Sequence, residues 1–323
     1  MAEVVEKPLA LCLMGPTASG KTDLAMALAD HPLLPECHLI SVDSAQVYCG
    51  MNIGTGKPSP TQLSHYPHAL IDIRDPAQPY SAENFRHDAT IEITAAVKAR
   101  KLPVLVGGTM LYFKALRNGL TDLPSADPVL RAEIVKLAEA SGWEAVHLRL
   151  KKVDPEAAAR IHPNDPQRLQ RALEVYLVTG ITLSEHHRRE QNQTDAGLKE
   201  LPCRLVWFAI QPSARAELHA RIASRFHRML DSGLIEEVRA LYQRDDLDPL
   251  LPSIKSTGYR QVWQFLAGEL DYELMVERSI IATRQLAKRQ LTWLRNWPDL
   301  QNLCDTPANS IEHILNFVDS SAI

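Results

Sequence analysis

Leu9-Ala10-Leu11-Cys12-Leu13-Met14-Gly15-Pro16-Thr17-Ala18-Ser19-Gly20-Lys21-Thr22-Asp23-Leu24-Ala25-Met26-Ala27-Leu28-Ala29 reads as strand, loop and helix in immediate succession. Leu9 to Met14 is a short apolar run of buried-strand type, and Asp23 to Ala29 has helical character. Between them, Gly15 to Thr22 spell G-x-x-x-x-G-K-[ST], a phosphate-cradling P-loop in the context that such a loop requires. In this geometry backbone N–H groups and the positive helix end face an anion. Lys21 reaches phosphate oxygens, and the Thr22 hydroxyl is placed to ligate Mg²⁺. The implied ligand carries at least two linked phosphates.

Working outward, His38-Leu39-Ile40-Ser41-Val42 is a second strand ending at Asp43, and Ala69-Leu70-Ile71-Asp72-Ile73 is a third candidate. A helix follows from about Ala82 to Arg100, with Ser81 as N-cap and Lys98, Arg100 and Lys101 near its C-terminal end. Pro103-Val104-Leu105-Val106 is a fourth strand, running into Gly107-Gly108-Thr109. This βαβ alternation predicts an α/β fold: a P-loop NTPase-like, mainly parallel sheet flanked by helices.

From about Leu120 the pattern becomes helical. Asp127-Pro128, Asp154-Pro155 and Asp165-Pro166 each place a capping carboxylate before a proline at the first helical position. Gly142 and Gly180 end the first and third of these helices. Arg188-Arg189-Glu190-Gln191-Asn192-Gln193-Thr194 has no periodicity and is expected to be irregular and mobile. Cys203 to Ile210 reads as a strand returning to the sheet, and the remainder is mostly helical. The expected division is residues 1–119 as the first part of the core, 120–201 as an inserted helical lobe, and 202–323 as the second part of the core with C-terminal helices.

The 323 residues, 45% apolar and 23% charged, suit a soluble globular protein. No apolar run is long enough to span a bilayer, and Met1 to Lys7 lack the basic start of a secretory signal. The five cysteines are scattered and never spaced C-x-x-C, which predicts reduced thiols and a cytoplasmic location. A net charge of −4 gives no global attraction to nucleic acid, so a polyanion would need a local basic surface.

Three constellations carry chemistry. Asp43, at the carboxyl end of a strand, is open to three readings: a carboxylate holding Mg²⁺, a general base beside the phosphates, or the N-cap of a short helix from Ser44. Arg221, Arg225 and Arg228 share one face of a helix from about Ala214 to Leu230. Spacing leaves open whether they meet a phosphate or pair with nearby acids in solvent. Arg278 to Arg295 contains five basic residues and no acid, with Trp293 and Trp297 at helical spacing. That combination suits phosphate contacts with base stacking, although the tryptophans and leucines could equally be core. His186-His187 is read as exposed rather than metal-binding, and His162 to Pro166 as a helix-start turn. No hydrophobic run ends in Asp-Glu and no Asn-Lys-x-Asp guanine reader occurs, so the loop is expected to hold a diphosphate without hydrolysing it. An ATP-dependent small-molecule kinase and a non-catalytic RNA-binding module are the competing classes.

Several stretches together resemble the tRNA dimethylallyltransferase (bacterial tRNA isopentenyltransferase) family. They are Gly15 to Thr22, Ile40-Ser41-Val42-Asp43-Ser44-Ala45-Gln46-Val47-Tyr48, Ile53-Gly54-Thr55-Gly56-Lys57-Pro58 and Gly107-Gly108-Thr109-Met110-Leu111-Tyr112. His162 to Arg171, Lys255 to Arg260 and Thr283 to Gln290 complete the pattern, which covers about residues 8–300. The resemblance implies transfer of a dimethylallyl group from dimethylallyl diphosphate to N6 of the adenosine just 3′ of the anticodon, tRNA position 37, in tRNAs reading codons that begin with U. It implies a P-loop-kinase-like fold with a helical insertion that grips the anticodon stem-loop; Mg²⁺ as cofactor, read from the loop, and a monomer in the cytoplasm are the accompanying expectations. It makes Asp43 the general base, puts Thr17 at the diphosphate within a binding loop of Gly15, Pro16, Thr17, Ala18, Ser19, Gly20, Lys21 and Thr22, and makes Arg225 the arginine that meets the leaving group. It further implies tRNA contacts at Asp43, Ser44, Ala45, Gln46, Thr109, Arg131, Gln167, Arg168, Leu169, Gln170, Arg171, Lys255, Ser256, Thr257, Gly258, Tyr259 and Arg260. On the basic segment the implied contacts are Lys288, Arg289, Gln290, Leu291, Thr292, Trp293, Leu294 and Arg295. Eukaryotic relatives carry a C-terminal zinc finger, for which this chain has no Cys/His set.

Overall fold

Strand β1 (Leu9–Met14) shows why a sheet forms. Its period-two alternation sends Ala10, Cys12 and Met14 into one apolar core and Leu11 and Leu13 into another, so both faces are covered. The computed structural model describes residues 7–119, 123–124, 127–192, 201–212, 214–303 and 307–321. After β1 come α1 (Lys21–Ala29), β2 (Cys37–Val42), α2 (Pro60–His65), β3 (His68–Ala69), α3 (Ala82–Lys98), β4 (Leu102–Gly107) and α4 (Met110–Asn118). A helical stretch holds α5 (Pro128–Val153), α6 (Pro155–Arg160), α7 (Pro166–Thr179) and α8 (Leu183–Asn192). Then follow β5 (Arg204–Ile210), α9 (Arg215–Asp231), α10 (Leu234–Tyr242), α11 (Tyr259–Leu266), α12 (Tyr272–Arg295), β6 (Gln301–Leu303) and α13 (Pro307–Ser321).

The described strands form one parallel sheet in the order β3-β2-β4-β1-β5-β6. β1 lies centrally, with Leu11 opposite Val104 and Leu9 opposite Arg204. The chain runs from β1 outward to β2 on one side and later reaches β5 on the other. Sheets of this kind take ligands at the carboxyl ends of the strands beside such a reversal. β2 lies two strands from β1, so their carboxyl ends stand ~10 Å apart in the hydrogen-bonding direction.

The expected α/β architecture is the one observed, with local differences. The third strand is only His68–Ala69, because Leu70 and Asp72 adopt left-handed φ of 65° and 55° and turn the chain away from the ladder. Residues 188–192 are helical rather than irregular, since Glu185 pairs with Arg188 and Arg189 one turn on and supports α8. Residues 193–194 lie outside the described residues. Strand β6 was not legible, being three residues long. α3 stops at Lys98 because Arg100 takes a φ of 57°. At its start Ser81 and Asn84 form the reciprocal cap, each accepting the other's backbone N–H.

The chain divides into two compact units, residues 1–118 with 201–323, and residues 119–200. Within the second, Asp127, Asp154 and Asp165 each cap a helix whose first residue is proline. Gly142, at φ 76°, breaks α5, and Gly180, at φ 70°, ends α7. The carboxylate of Glu174, with no exposed surface, accepts from Arg131, Arg171 and the Asp127 N–H. Burial pushes the Glu174 carboxyl up, but these donors outweigh it and hold it below its ordinary value of 4.5. Its stabilisation is therefore complete above that value and lost as pH falls through the depressed native value. Glu174→Ala leaves two arginines without their shared partner, so unfolding measured by denaturant titration is expected to show a loss of about 3–5 kcal/mol in this unit.

Candidate active site

Loops from three strands meet at the carboxyl edge of the sheet. After β1, Ala18 and Gly20 adopt left-handed φ of 63° and 85°, the kind of turn that points successive N–H groups into an anion-binding nest. Lys21 opens α1, and its ammonium donates to the Pro16 carbonyl at 3.2 Å. Burial pushes Lys21 down to about 8; Asp43 pulls it up, and Arg225 adds to the lowering. The Ser19 hydroxyl is buried with no hydrogen-bond partner among the described residues. One amide ties these parts together. Gln290 of α12 accepts the Thr17 N–H at 3.0 Å and donates to the Gly108 carbonyl, after β4, at 2.8 Å.

Asp43, following β2, heads a tight turn rather than a helix. Its Oδ1 accepts the N–H groups of Ala45 and Gln46 at 2.9 and 3.2 Å, while Oδ2 accepts none among the described residues. Thr109 accepts the Ser44 N–H at 3.1 Å and pins the turn. The short helix expected from Ser44 is thus absent and a turn closed by Oδ1 takes its place, with Oδ2 free of donors among the described residues.

Asp43, Thr17, Lys21 and Thr22 line an inner cavity of about 140 Å³. Ile222, Phe226 and Met229 of α9, Leu234 and Leu286 supply its apolar wall. An outer cavity of about 630 Å³ shares Lys21, Thr22, Gly56 and Arg225 with it and adds Ser19, Lys57 and Arg228. The structure separates the three arginines that spacing could not. Arg221 pairs with Glu217, Arg228 lines only the outer cavity, and Arg225 borders both. Arg225 has no carboxylate within ion-pair distance among the described residues, and burial lowers its pKa. Its guanidinium rests on Gly56, where a Cβ would come within 1.9 Å of Nη2 and where φ is 62°. A side chain there would strain the backbone and push the guanidinium away.

The basic segment is a two-faced helix. Lys288, Arg289, Thr292, Trp293 and Arg295 are exposed, whereas Gln290, Leu294 and Trp297 are buried and Leu291 half-buried. Trp293 is 41% exposed and Trp297 8%, so the two tryptophans divide between surface and core. Other positions implied as RNA contacts also differ in placement. Gln167, Arg168, Lys255 and Arg260 are exposed, and Ser256 and Thr257 line the inner cavity. Leu169, Gly258 and Tyr259 are buried, Arg131 and Arg171 bind Glu174, and Gln170 donates to the Arg131 carbonyl. His162 accepts the Asn164 N–H in the turn before α7, and His186 and His187 are half-buried.

Residues 46–297, well over half the chain, match the model of the IPP transferase family. The chain belongs to that family. It is 58% identical over 296 residues to a tRNA dimethylallyltransferase of Thioalkalivibrio sulfidiphilus, covering 92% of this chain and 90% of the relative. Among solved structures it is similar to the full-length tRNA isopentenylpyrophosphate transferase of Bacillus halodurans, at 34% identity and TM-score 0.69, with 98% and 97% of the two chains covered. It is also similar to a eukaryotic dimethylallyltransferase acting on tRNA, at 26% identity and TM-score 0.74, with 97% and 80% covered.

Sequence reasoning did not assign Gln290 to the phosphate loop, nor Gly56 to Arg225, nor name the apolar wall. A buried amide within a basic helix and two glycines within Ile53-Gly54-Thr55-Gly56 were the available signals. Because Lys21 of the free protein titrates near 8, its affinity for inorganic diphosphate is expected to fall as pH rises through that value. Lys21→Arg keeps its charge and should abolish this step in calorimetric titrations while leaving any weaker pH dependence of the ligand itself.

Proposed function

We propose that this chain transfers a dimethylallyl group from dimethylallyl diphosphate to N6 of adenosine 37 in tRNAs reading codons that begin with U, releasing diphosphate. One observation carries the reading. A carboxylate with one oxygen free of donors and two cations without ion-pair partners among the described residues border a single small cavity that also has an apolar patch of Ile222, Phe226, Met229, Leu234 and Leu286. A diphosphate at the loop and a five-carbon chain against Phe226, Met229 and Leu234 satisfy that mixture of charge and apolar surface.

The exocyclic N6 amine attacks C1 of the allylic chain as the C1–oxygen bond breaks, and the bonding pair leaves with the diphosphate. An adenine amine is a weak nucleophile because its lone pair is delocalised into the ring. Asp43 Oδ2 accepts its proton as the C–N bond forms. Charge grows on the leaving oxygens, where the loop N–H groups, the Ser19 hydroxyl, Lys21 and Arg225 act. Thr17 orients the diphosphate from the loop, its N–H being held by Gln290.

Among the described residues no group of three His, Cys, Asp or Glu side chains is placed to hold a metal ion. The half-buried Thr22 hydroxyl beside Lys21 nonetheless suits a hard cation completed by substrate oxygens and water, as Mg²⁺ prefers. Thr22 would hold it, and it would supply further neutralisation of the departing diphosphate. The adenine must leave its stack to reach Asp43. The exposed Lys288, Arg289 and Arg295, with Trp293, suit contacts to phosphates and a base, and within the helical unit the exposed Gln167 and Arg168 suit contacts of their own to an anticodon stem-loop. No helix among the described residues is long and apolar enough to cross a membrane. Dimethylallyl transfer at a cytoplasmic tRNA completes the reading, and ATP-dependent phosphotransfer is not favoured by the relatives.

Incubation with purified tRNA, Mg²⁺ and either dimethylallyl diphosphate or ATP is expected to add a five-carbon unit to tRNA by mass spectrometry only with the former. A phosphorylated product instead would overturn the assignment. Asp43→Ala should lower turnover roughly 10²–10³-fold while diphosphate affinity changes little. Equal losses in both would make Asp43 a metal ligand instead. Arg289→Glu should weaken tRNA binding and flatten its salt dependence, measured as log K against log salt.

A further inference from the structure

Behind the wall of the inner cavity, one carboxylate collects four hydrogen bonds. Glu237, on α10, accepts the backbone N–H groups of Asn52 and Ile53 on Oε2, at 2.9 and 2.8 Å. Its Oε1 accepts the Gly54 N–H at 3.2 Å and the Tyr259 hydroxyl at 2.5 Å. Among the described residues no Lys or Arg pairs with it. Glu237 itself does not line the cavity, but what it holds does: Gly54, Gly56 and Tyr259 are all wall residues.

The held segment transmits its position in two directions. Gly56 donates to the Ile53 carbonyl at 2.9 Å, so the place of Ile53 fixes that of Gly56, and Gly56 is the surface on which the Arg225 guanidinium rests. The Gln46 amide donates to the Gly56 carbonyl at 3.3 Å, and the Gln46 N–H is one of the two that fix Asp43 Oδ1. Gly54 and Tyr259 are equally interlocked, since a Cβ at Gly54 would lie 2.5 Å from the phenol ring.

We infer that Glu237 is a positioning residue of the transfer reaction: by anchoring residues 52–54 and Tyr259 it sets the placement of Arg225 against the leaving group and, through Gln46, of the Asp43 turn. This rests on the proposed transfer reading. An ionised carboxylate is suited to the task because it only accepts, with two oxygens for four donors. A glutamine would keep one acceptor oxygen and turn an NH₂ group toward N–H donors.

The test uses the full chain carrying Glu237→Gln, Glu237→Asp or Tyr259→Phe. It reads kcat, KM for each substrate, calorimetric affinity for inorganic diphosphate, and melting temperature. Glu237→Gln is expected to lower kcat on the order of 10²-fold, as small misplacements of reacting groups do, with KM for tRNA little changed. It should also weaken inorganic diphosphate on the order of tenfold through Arg225. Glu237→Asp restores the charge but not the reach and should not rescue. Tyr259→Phe removes one donor of the four, costs less, and adds little in the double variant with Glu237→Gln because both act on one network. A Glu237→Gln protein with wild-type kcat and diphosphate affinity overturns the inference. So does one whose losses vanish when assayed far below its melting temperature, which would make Glu237 a stability residue only. If the wild-type protein binds diphosphate but transfers nothing, the transfer reading falls, while the diphosphate measurements still decide the role of Glu237.

Discussion

Two cations near one another, Lys21 and Arg225, without ion-pair partners among the described residues, are the constraint around which this core is organised. Burial lowers the pKa of both Lys21 and Arg225; Arg225 adds to the lowering at Lys21, and Arg228 adds to it at Arg225. Such an arrangement is unfavourable in isolation, because desolvated charge needs a counter-charge. Asp43 offsets part of it electrostatically without forming an ion pair with either. On the proposed reading an incoming diphosphate would supply the rest, making folding and ligand recognition opposite halves of one electrostatic balance. The surrounding structure is rigid where it must resist collapse of that balance: the Asp43 turn is closed by two N–H groups, Gly56 backs the guanidinium, and the Gln290 amide fixes the phosphate loop.

Helix α12 shows how one element serves two surroundings. Its inner face carries Gln290 and Leu294, its outer face Lys288, Arg289 and Trp293. A 3.6-residue period allows this without compromise, since residues three and four apart share a face while their immediate neighbours point elsewhere. The same helix thereby presents a positive surface and, one residue along, accepts the Thr17 N–H of the loop after β1.

Sequence legibility followed locality. The phosphate loop, the Asp-Pro caps and the parallel sheet are encoded over a few residues each, by turn-forming glycine, by proline at a first helical position and by alternating apolar runs. Arg225 could not be distinguished from Arg221 and Arg228, because the difference lies in Glu217 capturing one and in a glycine loop some 170 residues away receiving another. The tail of α8 was misjudged for a different reason: polar residues without an apolar stripe still form helix when ion pairs one turn apart support them. The short third strand shows the reverse, an apolar run overruled by two left-handed residues.

The placement of β1 at the middle of the sheet has a kinetic consequence. Leu11 pairs with Val104 and Leu9 with Arg204, so β1 waits for one neighbour until about 90 further residues have been made and for the other until nearly 200 have. Contacts so distant in sequence make for slow closure. Until Arg204 arrives, one flank of β1 is an unpaired apolar edge of the kind that recruits foreign strands. The nascent chain is thus most vulnerable to misassociation while the helical insertion is leaving the ribosome.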